Sequence, residues 1–190
     1  MGRLVALKLA RAGCKVSVHD AGSPGADQAA ARVAAAMLAP LAESAVAPPA
    51  LVRMGLHSLA RWPQLLATLQ QPVFFQQTGT LIVWHRQDAA EAQRLRGQLE
   101  RTQARIPDLP HLQALAGPEL AQAEPALAGR FNQGLLLPGE GQLDNRQLLA
   151  ALLPAMEQRG VHVHWHQPRE TTDFSADDWV IDCRGLGART

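Results

Sequence analysis

The opening residues of the chain place apolar side chains with the spacing of one helix face. Leucine, valine and alanine recur with that period over residues 1–12, and Gly13 follows, a residue that readily adopts the left-handed conformation of a helix cap. Residues 14–20 then alternate β-branched and polar positions and end in Asp20, before a turn-rich stretch at 22–25. The pattern predicts a helix and then a strand. In a parallel sheet such a helix is the crossover from an earlier strand, so we expect one further strand on its N-terminal side, outside this sequence.

The rest of the chain continues to mix helical and strand periods. A run of almost pure alanine occupies 29–39, and the character of the sequence changes after about residue 71. The predicted elements are a long helix over 49–71, strands at 73–75 and 80–84, a polar helix over 88–105, a strand at 134–138, a helix capped by Asp144 and ended by Gly160, and last strands at 161–166 and 179–183. This alternation predicts an α/β fold.

Composition narrows the classes of function. The 190 residues are 47% hydrophobic and carry a formal net charge of +1, which suits a packed core and provides no field to attract nucleic acid or anionic lipid. The sequence has no apolar run long enough to cross a bilayer, and Cys14 and Cys183 lie far apart. We therefore expect a cytoplasmic protein with reduced thiols and with no nucleic-acid or membrane partner.

Two residues at the start of the chain have the spacing of a nucleotide site. Gly2 opens the first predicted helix. Asp20, which ends the strand after that helix, lies 18 residues beyond Gly2. In a dinucleotide-binding unit the helix start faces the pyrophosphate, and such a carboxylate accepts ribose hydroxyls. Only the third glycine of that motif is present, so the interpretation of Gly2 as a terminal residue and Asp20 as a turn acid stays open.

A histidine cluster is the other candidate for chemistry. His162, His164 and His166 alternate along a predicted strand and share one face, where imidazoles can bind a metal. No cysteine or acid completes the set, so we interpret them as a solvated strand face and predict no metal site.

Three later segments carry a specific resemblance. They are AAARVAAAMLAPLAE at 29–43, EPAL with LLLPGEGQLDNRQLLAAL within 124–152, and VIDCRGLGAR at 180–189. Together they resemble the glycine oxidase branch, linked to thiamine synthesis, of the D-amino-acid oxidase superfamily. The resemblance implies a Rossmann-like FAD-binding domain with an inserted α+β substrate domain, both partial. We expect residues 1–71 and 141–190 in the FAD-binding domain and 72–140 in the substrate-domain segment.

The resemblance also assigns residues to the cofactor. It implies that Gly2 contacts FAD at the pyrophosphate turn and that Asp20 contacts the adenosine ribose. It places Gly185 on the returning turn, and along the flavin it places Ala35, Ala36, Met37 and Leu38. Small residues suit backbone that must approach a cofactor closely. The sequence departs from the family at three positions: Ala36 replaces a usual glycine, Arg32 a small hydroxyl residue, and Asp20 a more frequent glutamate.

The implied activity is FAD-dependent oxidation of the C–N bond of a small amine or amino acid, with oxygen as electron acceptor. The family's substrate-carboxylate arginine is expected beyond Thr190, so no catalytic residue is named, and the chain is expected to be incomplete as a catalyst. The alternative is a non-catalytic remnant that binds nucleotide or a partner. Sarcosine-oxidase-like and D-amino-acid-dehydrogenase-like relatives also stay open, as do the electron acceptor and a homo-oligomeric state.

Overall fold

A computed structural model of the chain describes residues 1–189 and contains both helices and strands. The helices are α1 (Gly2–Arg11), α2 (Ala30–Val33), α3 (Pro49–Leu59), α4 (Trp62–Leu66), α5 (Ala89–Arg105), α6 (Gly117–Ala123) and α7 (Asn145–Glu157). The strands are β1 (Ser17–Asp20), β2 (Met37–Leu38), β3 (Phe75–Gln76), β4 (Thr80–Val83), β5 (Gln113–Ala116), β6 (Gln133–Leu137), β7 (Gly141–Leu143) and β8 (His162–Trp165). Short 3-10 helices lie at Ala42–Ala45, Arg86–Asp88, Pro125–Leu127, Thr171–Asp173 and Gly185–Arg189. The mixed α/β class predicted from the sequence is confirmed.

The chain forms two compact units. The first unit contains Met1–Ala35, Leu66–Phe74 and the described residues from Asp144 onward, and the second contains Ala36–Leu65 and Phe75–Leu143. The sequence groups 36–65 with the FAD-binding residues, whereas these residues are compact with the middle of the chain. Compactness does not report cofactor contacts, so the predicted domain assignment stays a prediction.

In the first unit, α1 packs on α7 beside a parallel strand pair. Ala6 and Leu7 are buried on α1, and the buried face of α7 includes Leu152 and Met156. After α1, Gly13 has a φ of +89°, which suits the residue that ends a helix. Strand β1 pairs with β8 in parallel. The predicted helix and strand at the start of the chain are confirmed.

Local sequence signals also position α7. The Asp144 carboxylate accepts hydrogen bonds from the amides of Arg146 and Gln147, both at 2.9 Å, as an N-cap does. Gly160 follows the helix with a φ of +70°. Both ends of this helix were predicted from the sequence.

The second unit contains two antiparallel sheets, with strand orders β2-β7-β3 and β4-β6-β5. Its core is a cluster of buried aliphatic side chains: Leu41, Val52, Leu99, Ile106, Leu109, Leu135 and Leu137. Gly141 allows close packing in the first sheet, because a Cβ there would lie 2.6 Å from the Gln76 carbonyl oxygen. The polar helix predicted over 88–105 is confirmed as α5.

Two predicted elements differ in the structure. The long helix over 49–71 is wrong: α3 ends at Leu59, and α4 begins at Trp62. Pro63 has no N–H to donate to the Leu59 carbonyl, so a continuous helix would lose a hydrogen bond there. The strand predicted at 179–183 is also wrong, since these residues form neither helix nor strand. A strand requires a paired neighbour, and the described chain brings none beside this segment.

The segment around residue 78 connects two sheets. The strand predicted at 73–75 is displaced to β3 at Phe75–Gln76, and the strand predicted at 80–84 shortens to β4. Each pairs with a different partner strand. Gly79 has a φ of +108°, and its amide donates to the carbonyl of Glu140 at 2.9 Å. The strands predicted at 134–138 and 161–166 are confirmed as β6 and β8.

Candidate functional site

The first unit contains the candidate nucleotide carboxylate. Asp20 is the last residue of β1 and lies in register with Trp165, the last residue of β8. Its Oδ1 accepts a hydrogen bond from the Gly22 amide at 2.8 Å, and the residue is half-buried. The carboxyl edge of a parallel sheet is where α/β proteins bind ligands. The position of Asp20 therefore suits a carboxylate that contacts a ribose.

Gly2 lies at the start of α1, close to the segment that leads into the predicted returning turn. A Cβ on Gly2 would lie 3.5 Å from the Cβ of Cys183 and 3.9 Å from its Sγ. Gly185 follows two residues later and has a φ of +65°. The structure therefore brings the start of α1 next to the chain just before Gly185.

Arg184 connects that turn to the preceding loop. Its guanidinium forms ion pairs at 2.9 Å with Glu170 and with Asp182. The hydrogen bonds from Arg184 lower the pKa of the Asp182 carboxyl. The segment before Gly185 is thus joined to residue 170 although it belongs to no sheet.

The four predicted flavin neighbours do not lie in one unit. Ala35 belongs to the first unit, whereas Ala36, Met37 and Leu38 belong to the second. Ala36 has a φ of +56°, in the left-handed region that favours glycine. Met37 and Leu38 form β2, which pairs with β7, and Met37 is 47% exposed. The unusual backbone lies at the position where the sequence departs from the family's glycine.

The start of α7 holds α2, which lies within the alanine run. Asn145 Nδ2 donates to the carbonyls of Ala31 and Ala34, the latter at 2.7 Å, and Arg146 Nε donates to the carbonyl of Arg32 at 3.2 Å. Two of the three family-like segments are therefore joined by hydrogen bonds within one unit. Sequence reasoning did not single out Asn145, although it lies in the most specific of those segments.

The side chain of Arg32, one of the departures from the family, turns back toward the loop before it. Its Nη1 donates to the Gly25 carbonyl at 2.7 Å, and its Nε lies 3.5 Å from Asp27 Oδ1. Arg32 therefore closes the loop over residues 25–32.

Arg3 and His19 are two polar groups near Asp20. Arg3 is 8% exposed, and burial lowers the pKa of its guanidinium, while Asp20 opposes that shift. His19 stacks on His164 with ring centroids 4.5 Å apart and planes within 8°. Burial lowers the pKa of His19, and the nearby His164 and Arg169 lower it further. Arg3 was missed in the sequence, where its signal is a charged residue on the apolar side of α1.

The histidines of the predicted strand have different surroundings. His164 faces the ring of His19, and His166 leaves the strand with a φ of +56°. Within residues 1–189 no group of three histidine, cysteine or acidic side chains is arranged to hold a metal ion. In the same range, no helix has both the length and the apolar character needed to cross a membrane.

The second unit has a small cavity of about 200 Å³ beside a buried carboxylate. Glu140 is 2% exposed, and its Oε1 accepts hydrogen bonds from the amides of Leu41 and Ala42 at 2.7 and 2.9 Å. These bonds cap the 3-10 helix that follows the predicted flavin segment. The cap connects residues 138–142 to the residues after β2. The sequence did not predict this contact.

Comparison with known proteins adds a consistent set of similarities. The sequence profile of the DAO family, described as FAD dependent oxidoreductase, matches residues 1–189. A Rhizobium etli protein named as the thiamine biosynthesis oxidoreductase ThiO is 32% identical over 185 residues, which are 97% of this chain and 51% of that protein. The glycine oxidase structure from Geobacillus kaustophilus has a TM-score of 0.71 at 25% identity, covering 87% of this chain and 44% of its own.

A further solved structure shares the fold. Iminodiacetate oxidase IdaA from Chelativorans sp. BNC1 has a TM-score of 0.68 at 22% identity, covering 86% of this chain and 43% of its own. The chain thus spans about half the length of the relatives that it matches.

Proposed function

Because the chain belongs to the DAO family of FAD dependent oxidoreductases, we propose that it contributes FAD-binding residues to an enzyme that oxidises the C–N bond of a small amine or amino acid, as a glycine oxidase does. The supporting observation is the position of Asp20 at the carboxyl edge of β1 and β8, after a helix that starts at Gly2. The proposal extends to the cytosol as the compartment and to thiamine synthesis as the context, as the name of the ThiO relative suggests.

The residues present fit the cofactor. Gly2 keeps the start of α1 free of a side chain, and Gly185 takes a left-handed backbone in the turn after Cys183. In this proposal Gly2 faces the pyrophosphate, Asp20 accepts ribose hydroxyls, and Gly185 lies on the returning turn. Bound FAD supplies the hydride acceptor, and the protein positions the cofactor and tunes its surroundings.

The flavin end of the cofactor is assigned to the alanine run. We propose that Ala35, Ala36, Met37 and Leu38 lie along the isoalloxazine, because small side chains and a left-handed backbone at Ala36 leave room for close approach. We also propose that residues 1–71 and 141–190 belong to the FAD-binding domain and that residues 72–140 belong to the substrate domain.

The substrate site is proposed to lie in the half of the family's length that this chain does not span. The chain covers 51% of the ThiO relative, and none of its described residues is assigned to the substrate carboxylate. The alternative function is that of a non-catalytic remnant that binds nucleotide or a partner. Gly2, Asp20 and Gly185 all belong to the first unit, so that unit by itself contains the proposed pyrophosphate and ribose contacts.

One experiment distinguishes the two functions. The 190-residue chain is compared with an extended protein. The extended protein also contains the residues encoded on both sides of this chain in the gene. A yellow extended protein that releases peroxide with glycine or sarcosine supports the oxidase. An extended protein that binds FAD without turnover of any small amine supports nucleotide binding alone.

A further inference from the structure

Arg3 is a buried cation whose hydrogen bonds go to neutral groups. Its Nη1 donates to the Leu149 carbonyl at 2.7 Å, and its Nη2 donates to the Pro24 carbonyl at 2.9 Å. Its guanidinium carbon lies 5.2 Å from the centre of the Trp165 ring. In the described part of the chain, no carboxylate lies within 4 Å of this guanidinium.

These contacts join α1 to α7, to β8 and to the loop after β1. Leu149 is on α7, Trp165 ends β8, and Pro24 lies in the loop that begins directly after Asp20. That loop is also closed by the Gly22 amide, which donates to Asp20 Oδ1. One side chain of α1 therefore holds the loop at its far end, while Asp20 holds it at its start.

Packing alone does not account for an arginine at this position. Burying a guanidinium costs desolvation free energy, whereas a methionine of similar length would fill the space without that cost. The guanidinium of Arg3 instead donates to the carbonyls of Pro24 and Leu149, which are 125 residues apart in sequence. A planar group with several fixed donors suits such a bridge, and the single ammonium of lysine does not.

We propose that Arg3 is a positioning residue for the adenosine end of FAD, holding residues 20–25 against α7 and β8 so that the Asp20 carboxylate faces the ribose. This inference rests on the proposed FAD-binding role of Asp20 and adds a residue to that site. Arg3 acts through the loop and does not itself touch the cofactor.

The test measures FAD affinity and local backbone protection in the extended protein. Arg3→Met is compared with Arg11→Met, which removes an arginine of the same helix whose Nη2 donates to Thr68 Oγ1 at 2.8 Å. We expect Arg3→Met to weaken FAD binding by about tenfold, the equivalent of one lost hydrogen bond to a charged group. Hydrogen exchange should accelerate in residues 21–25 of that variant, and Arg11→Met should change neither quantity.

A double-mutant cycle separates positioning from general stability. If Arg3 acts through Asp20, the variant that combines Arg3→Met with Asp20→Ala binds FAD no more weakly than Asp20→Ala alone. Additive losses, or an Arg3→Met affinity equal to that of Arg11→Met, overturn the inference while leaving the proposed function intact. Should Arg3→Met fail to fold, Arg3→Lys is measured in its place with the same cycle, since a lysine cannot donate to both carbonyls. An Arg3→Lys affinity equal to that of Arg11→Met then overturns the inference. A wild-type extended protein that binds no FAD overturns both proposals.

Discussion

Asp20 and Trp165 are register partners at the carboxyl ends of β1 and β8. Because the strands are parallel, both residues lie at one edge of the sheet, and the Asp20 carboxylate also fixes the amide of Gly22. The other nearby acid, Asp27, has a different environment, since it is exposed and lies near Arg32.

These environments predict different effects on FAD binding in the extended protein. Asp20→Ala removes a proposed pair of charge-assisted hydrogen bonds to the ribose, so we expect FAD affinity to fall by roughly 30- to 150-fold, or about 2–3 kcal/mol. Asp27→Ala is the matched control and should change affinity little. Flavin titration by fluorescence checks both, and equal affinities for the two variants would remove Asp20 from the ribose role.

Features set by neighbouring residues were predicted well from the sequence. Asp144 caps α7 and Gly160 ends it, because both signals act within one turn of the helix. The resemblance to the glycine oxidase family was also confirmed at the family level. The cofactor roles of the seven predicted residues, in contrast, stay predictions.

Features that depend on distant partners were not predicted. Arg3 binds a carbonyl 146 residues away, and Glu140 caps a helix 98 or 99 residues before it, so no local pattern reveals either contact. The strand predicted at 179–183 has suitable β-branched residues, but pairing decides whether a strand forms, and pairing is not a local property. The left-handed backbone at Ala36 is likewise invisible in a run of alanines.

The left-handed backbone at Ala36 predicts an effect of substitution on stability. In the left-handed region a residue with a Cβ is disfavoured by roughly 1–2 kcal/mol, which exceeds the roughly 0.5–1 kcal/mol of extra unfolded-state entropy that a glycine brings. We therefore expect Ala36→Gly to raise the free energy of unfolding, by up to about 1 kcal/mol. Ala35→Gly is the control and should lower it, because Ala35 is not among the residues with positive φ. Urea denaturation measures both changes; an equal loss in the two variants contradicts the prediction.

At Gly141 we expect the opposite effect, because here the glycine is required and its replacement should lower stability. An added Cβ would meet the Gln76 carbonyl oxygen at 2.6 Å, and this backbone atom cannot yield as a flexible side chain can. We expect Gly141→Ala to destabilise the chain by about 1–3 kcal/mol, as overpacking does. Gly97→Ala, within α5, has only the end of Arg101 nearby at 3.5 Å and should stabilise by about 0.5–1 kcal/mol. Thermal unfolding of both variants checks the signs.

The stacked imidazoles predict a pH dependence of stability. Burial, His164 and Arg169 lower the pKa of His19 in the folded chain, so between its unfolded pKa of about 6.5 and its folded pKa the unfolded chain binds more protons. This contribution to stability is therefore complete above about pH 6.5 and is lost as the pH falls through the folded pKa. His19→Asn should flatten this part of the profile. Denaturant midpoints from pH 5 to 8 measure the difference, and identical slopes for wild type and His19→Asn refute it.

The last prediction concerns catalysis by the two lengths of protein. The extended protein should bind FAD stoichiometrically and release hydrogen peroxide with glycine or sarcosine, whereas the 190-residue chain should bind FAD weakly or not at all and show no turnover. Rate depends on holding the substrate α-carbon close to the hydride acceptor, and effective molarities of about 10⁵ M or more come from such orientation. The substrate-carboxylate contact that provides this orientation is proposed to lie outside the present chain. A coupled peroxidase assay, with the chain preincubated in excess FAD, measures this directly. Glycine-dependent peroxide well above the free-FAD control from the 190-residue chain would place the substrate site within residues 1–190 and reverse the assignment.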